Sequence, residues 1–325
     1  MPVMTYLQAI GRGLWEEMER DPAVLMLGED IGVYGGAFKV TDGFLARFGP
    51  ERVIDTPISE SAIVGSAIGM GYLGLRPVCE LQFIDFIACC FNQITNFVAK
   101  SHYRWGAPVP LVIRGPSGGG VHGGPFHSQN PEMYFVNTPG LKVVCPATAY
   151  DAKGLIKAAV RDPNPVLFFE HKFLYRRIKE DVPEDDYIVP LGQAAVRREG
   201  RDLTMVTYAA MLHTCLEAAA QLEKEDGLSC EVVDLRTLLP LDKDTILGSL
   251  KKTNKLLVVH EDTRTGGIAG EIAAIVMEEA FDQLDAPLLR VTSLDTPVPY
   301  SPPLEERFLP NVEKVVAAAR HLAQY

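Results

Sequence analysis

Apolar positions along the chain alternate between a helical and a strand period, and that alternation lays out the fold before any chemistry is considered. Leu7, Ile10, Leu14 and Met18 recur at helical spacing behind Thr5, whose hydroxyl suits an N-cap, and the pattern stops before Asp21-Pro22. A short buried strand follows over 24–27. The pattern then predicts a helix over 41–48, a strand at 53–54, a helix over 61–71, a strand over 78–83, a long apolar helix over 88–103 and a strand over 110–114. Strands at 141–144 and 166–170 flank a helix over 149–160, and from residue 203 onward strand and helix keep alternating to a last helix beginning near 312. Parallel strands joined by helices are what this rhythm implies, so the expected class is α/β.

Length divides the pattern in two. A chain of 325 residues with 47% hydrophobic content is long enough for two cored domains. The acidic, proline-bearing stretch Asp181-Val182-Pro183-Glu184-Asp185-Asp186 reads as a linker, which places domains at 1–180 and 192–325 with the linker over 181–191. A formal net charge of −11 argues against a nucleic-acid partner, which would call for a basic face. No apolar run reaches the ~18 residues of a membrane span, and the first residues lack a basic region leading into an apolar core. Six cysteines are scattered without a CxxC pair, as expected of free thiols in a reducing cytoplasm.

Candidate chemistry gathers at a few places. Asp55-Thr56-Pro57-Ile58-Ser59-Glu60 runs straight into a helix of small residues with Gly65, Gly69 and Gly71. Each glycine costs a helix roughly 1 kcal/mol, so three of them point either to a crowded core helix capped by Glu60 or to a cofactor lying against that face. Glu29 follows a strand, where α/β sheets bind ligands, although a solvated loop explains it as well. The segment from Gly115 to Gln129 is too glycine-dense for regular structure, and it has neither a GxxxxGK[ST] lysine nor a GxGxxG order. Its two histidines divide: His127 suits an open site, and His122 reads as a surface residue. The second half shows no such cluster of Gly, His and Glu, which suggests assembly rather than chemistry.

Six motifs now fall in one order: Leu27-Gly28-Glu29-Asp30, Asp55 to Glu60, Arg114-Gly115-Pro116-Ser117-Gly118-Gly119-Gly120, His127-Ser128-Gln129, Pro139-Gly140-Leu141-Lys142-Val143-Val144 and Asp234-Leu235-Arg236-Thr237-Leu238. In this order the chain closely resembles the beta subunits of the thiamine-diphosphate-dependent, decarboxylating component of 2-oxo acid dehydrogenase complexes, of pyruvate or branched-chain type. The resemblance implies a transketolase-like architecture, a pyrimidine-binding domain over 1–180 followed by a transketolase C-terminal-like domain over 192–325. Such enzymes hold the diphosphate through Mg²⁺ on a Gly-Asp-Gly motif, which this sequence lacks. An alpha subunit is therefore expected to hold Mg²⁺ and diphosphate, in an α2β2 heterotetramer.

The same resemblance implies residue roles. Glu60 would hydrogen-bond the pyrimidine N1′ and favour the imino tautomer, with burial raising its carboxyl more than the helix end lowers it. His127 would face the thiazolium and the entering lipoyl group as acid/base or orienting group. Ile58 and Phe86 would pack by the cofactor, Phe86 standing where branched-chain members often have Tyr, and Glu29 would line the same site. A potassium site would use Asp162, Asn164 and carbonyls of Leu111, Ala159 and Val160, the alternative being a plain capped turn. Asp285 and Tyr325 fall where the family docks the lipoylated acyltransferase core. Two alternatives stand beside this reading: the acetoin dehydrogenase beta subunit, and a docking subunit without catalytic residues.

Overall fold

Thr5 begins the first helix as expected: the Gln8 amide donates to Thr5 Oγ1 at 3.1 Å and the Thr5 amide to Gln8 Oε1 at 2.9 Å, closing a reciprocal cap. The computed structural model describes residues 2–325, which form two units. One runs to Ser117 and resumes over Tyr134–Leu191; the other joins Gly118–Met133 to Gly192–Tyr325.

In the first unit, β1 (Val3–Thr5) leads into α1 (Tyr6–Arg20), β2 (Val24–Gly28), α2 (Phe44–Phe48), β3 (Val53–Asp55), α3 (Glu60–Tyr72) and β4 (Arg76–Glu80). After α4 (Ala99–Trp105) and β5 (Val112–Ser117) come α5 (Met133–Val136), β6 (Lys142–Val144), α6 (Ala149–Arg161), β7 (Val166–His171) and β8 (Lys179–Asp181). Six strands of this unit run parallel in the order β6, β7, β5, β4, β2, β3. Every residue of β2, β5 and β7 is buried, as near-continuous apolar runs predict for a sheet covered on both faces. Helices α1 and α6 pack so closely that a Cβ on Gly13 would lie 2.6 Å from Ile156 Cγ2, a distance only glycine allows.

Two expectations change here. The helix foreseen over 88–103 is three helical forms: a 3-10 segment Ile84–Cys90, a π segment Gln93–Val98 and α4. Thr95 Oγ1 donates to the Phe91 carbonyl at 2.8 Å, competing with the backbone for that acceptor. At the stretch foreseen as a linker, β8 pairs antiparallel with β1 as far as Asp181, and Asp186 takes Lys157 and Arg161 at 2.6 Å each. Residues 118–133, expected within the first domain, are grouped with the second unit.

That second unit holds β9 (Ala195–Arg198), β10 (Leu203–Thr207), α7 (Met211–Asp226), β11 (Cys230–Asp234), β12 (Thr237–Leu239), α8 (Lys243–Thr253), β13 (Leu256–Thr263), α9 (Ile268–Glu279), β14 (Leu289–Ser293), α10 (Pro302–Phe308) and α11 (Val312–Leu322). Its sheet runs in the order β14, β13, β10, β11, β9, parallel except for β9 at one edge.

The first sheet's strands are tied by a charge. Arg114 in β5, 1% exposed, pairs with Glu80 of β4 on one side and with Glu170 of β7 on the other, its Nη2 reaching Glu170 Oε2 at 2.7 Å. Tyr175 Oη donates to the same Glu170 Oε2 at 2.7 Å. Burial works to lower the guanidinium's pKa, but Glu170 and Glu80 hold it well above its usual value; burial raises the Glu80 carboxyl. Replacing Arg114 by Met leaves two buried carboxylates unpaired, and unfolding by urea is expected to show a loss of roughly 3–5 kcal/mol.

Candidate active site

The carboxyl edge of the parallel sheet is where the first unit collects its acids. Strands β4, β2 and β3 are neighbours, and the chain leaving each of them carries Phe86, Glu29, and Ile58 with Glu60 respectively. The Thr56 amide donates to the Gly28 carbonyl at 3.0 Å, and Asp55 Oδ1 accepts the Gly32 amide at 2.6 Å, so the loops after β2 and β3 hold each other. Ser61 Oγ donates to the Cys89 carbonyl, tying the segment that bears Phe86 to the start of α3. Glu29 is 7% exposed, and burial, followed by the charges of Glu60 and Asp30, raises its carboxyl above the ordinary range.

Glu60 is the first residue of α3, behind Ser59, which makes no side-chain cap bond. Expected to be buried, Glu60 is half-buried in this chain. Beside it the apolar positions are open, with Ile58 82% and Phe86 36% exposed. The two readings of the glycine helix separate as well. A Cβ on Gly71 would meet Val109 Cγ1 at 2.7 Å, so that glycine serves core packing; a Cβ on Gly65 or Gly69 would meet nothing within 4 Å. With Ser61, Ala62 and Ser66 also exposed, the small-residue face of α3 is left open by this chain.

His127 belongs to the second unit, half-buried in the glycine segment. That segment is closed on itself by the Gly118 amide donating to the Gln129 carbonyl at 2.9 Å. His122, read as a surface histidine, lies at φ 59° and its Nδ1 stands 2.6 Å from Glu305 Oε2. Glu132 closes the segment: Tyr208 Oη donates to its Oε1 at 2.6 Å. Burial, then the charge of Asp262, raises Glu132 above the ordinary carboxylate range, and burial raises Asp262 likewise. Glu132, Glu261 and Glu305, which surround the segment, went unnoticed, although Glu261 follows an apolar strand just as Glu29 does.

The residues foreseen as a potassium site lie at the opposite, amino edge of the first sheet, before β5 and β7. Asp162 is engaged by Lys142 Nζ at 2.8 Å, and Asn164 Oδ1 by His102 Nδ1 at 2.7 Å. Arg76 Nη1 donates to the Val160 carbonyl at 2.8 Å, and the Val166 amide to the Leu111 carbonyl at 2.9 Å. The side-chain oxygens are thus already partnered, and a cation here would have to share backbone carbonyls, those of Leu111, Ala159 and Val160. In the second unit Asp285 and Tyr325 do come together: with Met277, Phe281, Leu288 and Arg290 they line a cavity of about 740 Å³.

A parallel α/β unit with acids gathered at its carboxyl edge, followed by a second α/β unit, is the transketolase arrangement, and the chain belongs to that family. Residues 3–177 match the transketolase pyrimidine binding domain and residues 192–315 the transketolase C-terminal domain. Among its members the chain stands with the beta subunits of 2-oxo acid dehydrogenases. It is 53% identical to 2-oxoisovalerate dehydrogenase subunit beta and 46% identical to pyruvate dehydrogenase E1 component subunit beta of Bacillus subtilis (strain 168), covering 100% of both chains in each pair. The acetoin:2,6-dichlorophenolindophenol oxidoreductase subunit beta of Cupriavidus necator is 48% identical over 96% of this chain and 95% of that relative. A split gene transketolase solved as an inactive beta4 tetramer superposes with a TM-score of 0.81 at 25% identity, over 99% of this chain and 98% of that one. Transketolase from Leishmania mexicana shares the fold, with a TM-score of 0.73 at 17% identity over 100% of this chain and 46% of its own.

The raised carboxyls of Glu132 and Asp262 carry a pH signature. Above the ordinary carboxylate pKa of roughly 4 the folded chain holds protons that the unfolded chain has lost, so their contribution to stability falls as pH rises through the raised folded values. Glu132→Gln is expected to flatten the decline of the unfolding free energy, measured with urea, between about pH 5 and about pH 8, by up to roughly 1.4 kcal/mol per pH unit.

Proposed function

We propose that this chain is the beta subunit of a 2-oxo acid dehydrogenase that works with thiamine diphosphate and is active only with an alpha subunit, in an α2β2 assembly. There it takes part in decarboxylating a 2-oxo acid and passing the acyl group to a lipoyl-lysine. The observation that carries the proposal is Glu60 beside the raised Glu29 at the sheet's carboxyl edge, with the small-residue face of α3 open beside them. The residues fit the aminopyrimidine end of the cofactor: an acid to hold a proton at N1′, and the exposed Ile58 and Phe86 to cover a flat ring. When bound, the cofactor supplies the electron sink that decarboxylation requires.

The chain's own residues then divide the work. Glu60 holds or releases the proton at the ring nitrogen, Ile58 and Phe86 exclude water, and Glu29 places a second carboxyl, raised by burial, nearby. His127 is the acid/base or orienting group for acyl transfer to the lipoyl group. Mg²⁺ and the diphosphate fall to the alpha subunit, whose packing against the open face of α3 would complete the site. The cavity holding Asp285 and Tyr325 suits docking of the acyltransferase core, its acid meeting a basic partner domain. Six free cysteines fit a reducing compartment such as the cytoplasm. A potassium ion on the carbonyls of Leu111, Ala159 and Val160 would be a structural ion, and it is expected to raise the Tm in potassium chloride relative to choline chloride; an unchanged Tm removes it.

Glu60→Gln in the assembled α2β2 enzyme is the decisive variant. Exchange of the cofactor's C2 proton is expected to slow by about 100-fold or more, with cofactor affinity changed far less. Exchange at the wild-type rate refutes the assigned role. The 48% identity to an acetoin-oxidising subunit favours one second reading, and turnover of acetoin against pyruvate and branched 2-oxo acids by the same complex separates the two. A complex still active with Glu60 or His127 replaced would reduce the chain to a docking subunit.

A further inference from the structure

Five of the seven residues Gly118-Gly119-Gly120-Val121-His122-Gly123-Gly124 are glycine, and Gly118, Gly120, His122 and Gly124 all have positive φ. A segment of this composition loses more backbone entropy on ordering than any other, about 1–2 kcal/mol per residue, and makes no regular ladder to offset the loss. Yet it leads directly to His127, whose assigned chemistry needs a fixed position.

What holds it comes from the end of β13 and from α10. Glu305, 1% exposed, accepts the Gly120 amide at 3.0 Å and the His122 amide at 3.2 Å on its two oxygens, and His122 Nδ1 at 2.6 Å. Glu261, 5% exposed, accepts the Gly119 amide at 2.6 Å and Asn130 Nδ2 at 3.0 Å. Gly119 lies between the two acids: a Cβ there would stand 3.3 Å from Glu305 Oε1 and 3.5 Å from Glu261 Oε1. Four residues on, a Cβ on Gly123 would meet the His127 carbonyl at 2.9 Å, and one on Gly124 would strike the Tyr300 ring at 2.3 Å. Successive amides thus point into buried carboxylates, a charge-assisted arrangement stronger than neutral hydrogen bonds and costly to leave unpaired.

We propose that Glu305, seconded by Glu261, is a positioning residue: it clamps the glycine segment from the C-terminal unit and so fixes His127 for acyl transfer. The assignment rests on the role of His127 given above. It adds that the C-terminal unit contributes to the chemistry through two acids that need touch neither substrate nor cofactor.

The test uses the assembled α2β2 enzyme with Glu305→Gln, which keeps the side chain's size but turns an amide NH2 toward amide donors. Hydrogen exchange of peptides covering 118–127 is expected to accelerate about 10-fold while exchange elsewhere is unchanged. Acylation of an isolated lipoyl domain should fall by about 10- to 100-fold, because small displacements of a reacting group cost that much. Decarboxylation read with a dye acceptor should change less than about twofold, since that step does not pass through His127. Unchanged exchange over 118–127 overturns the clamp, and an equal fall of both reactions overturns the positioning role in favour of a merely structural one. Should Glu305→Gln fail to assemble, His122→Asn removes only the imidazole contact from an exposed side chain whose left-handed backbone Asn tolerates. It should give the same selectivity at about two- to fivefold, and equal effects on both reactions again overturn the proposal. A His127→Ala complex with normal acylation would fail the role of His127 itself, which is visible without any Glu305 variant.

Discussion

One buried guanidinium ties together the central strands beneath the first unit's carboxyl edge. Arg114 joins three adjacent parallel strands through Glu80 and Glu170, just below the level at which the chain leaves the sheet to form its acidic loops. An unpaired charge at that depth would cost several kcal/mol, so the three residues stand or fall together, and Tyr175 takes up a further lone pair of Glu170. The loop after β2 rests on the same group, since a Cβ on Gly36 would lie 3.0 Å from Glu80 Oε1. With the strand ends fixed in this way, Glu29 is held among buried groups near Glu60, and its carboxyl is raised first by burial and then by the charges of Glu60 and Asp30.

The second unit uses acids in a different way. Glu261 and Glu305 are buried where they face backbone amides, so oriented N–H dipoles are among their favourable partners, with the His122 imidazole also at Glu305. Outside a helix N-terminus, several amides converge on one carboxylate when residues alternate into positive φ, as Gly118, Gly120, His122 and Gly124 do, and glycine takes that conformation without strain. The same glycines that make the segment costly to order therefore make it possible to hold. Glu132 belongs to this construction too, its carboxyl raised by burial and then by the charge of Asp262, which burial raises likewise.

Much of this was legible in the sequence. The strand and helix alternation, the Thr5 cap, the parallel sheet and the acids after β2 and β3 follow from periodicity and capping chemistry, which act over a few residues. Six ordered motifs pointed to the family to which the chain belongs. Other features were not legible. The 3-10 and π segments before α4 look like an α-helix because their apolar spacing is helical, and a single threonine hydroxyl competing for a carbonyl leaves no pattern. Lys142 and Arg76 meeting the turn at Asp162 could not be foreseen either, being 20 and more residues away in sequence.

By itself, then, the sequence determined the class of fold, the family and the placement of Glu60 and His127 on a helix start and in a glycine segment, because each depends on local chemistry and on order along the chain. Only the tertiary structure decided which glycines of α3 pack inward, that residues 118–133 group with the C-terminal half, and that Glu305 holds them. Those outcomes depend on contacts between residues as many as 185 positions apart, and a carboxylate gives no local sign of which distant amides it will face.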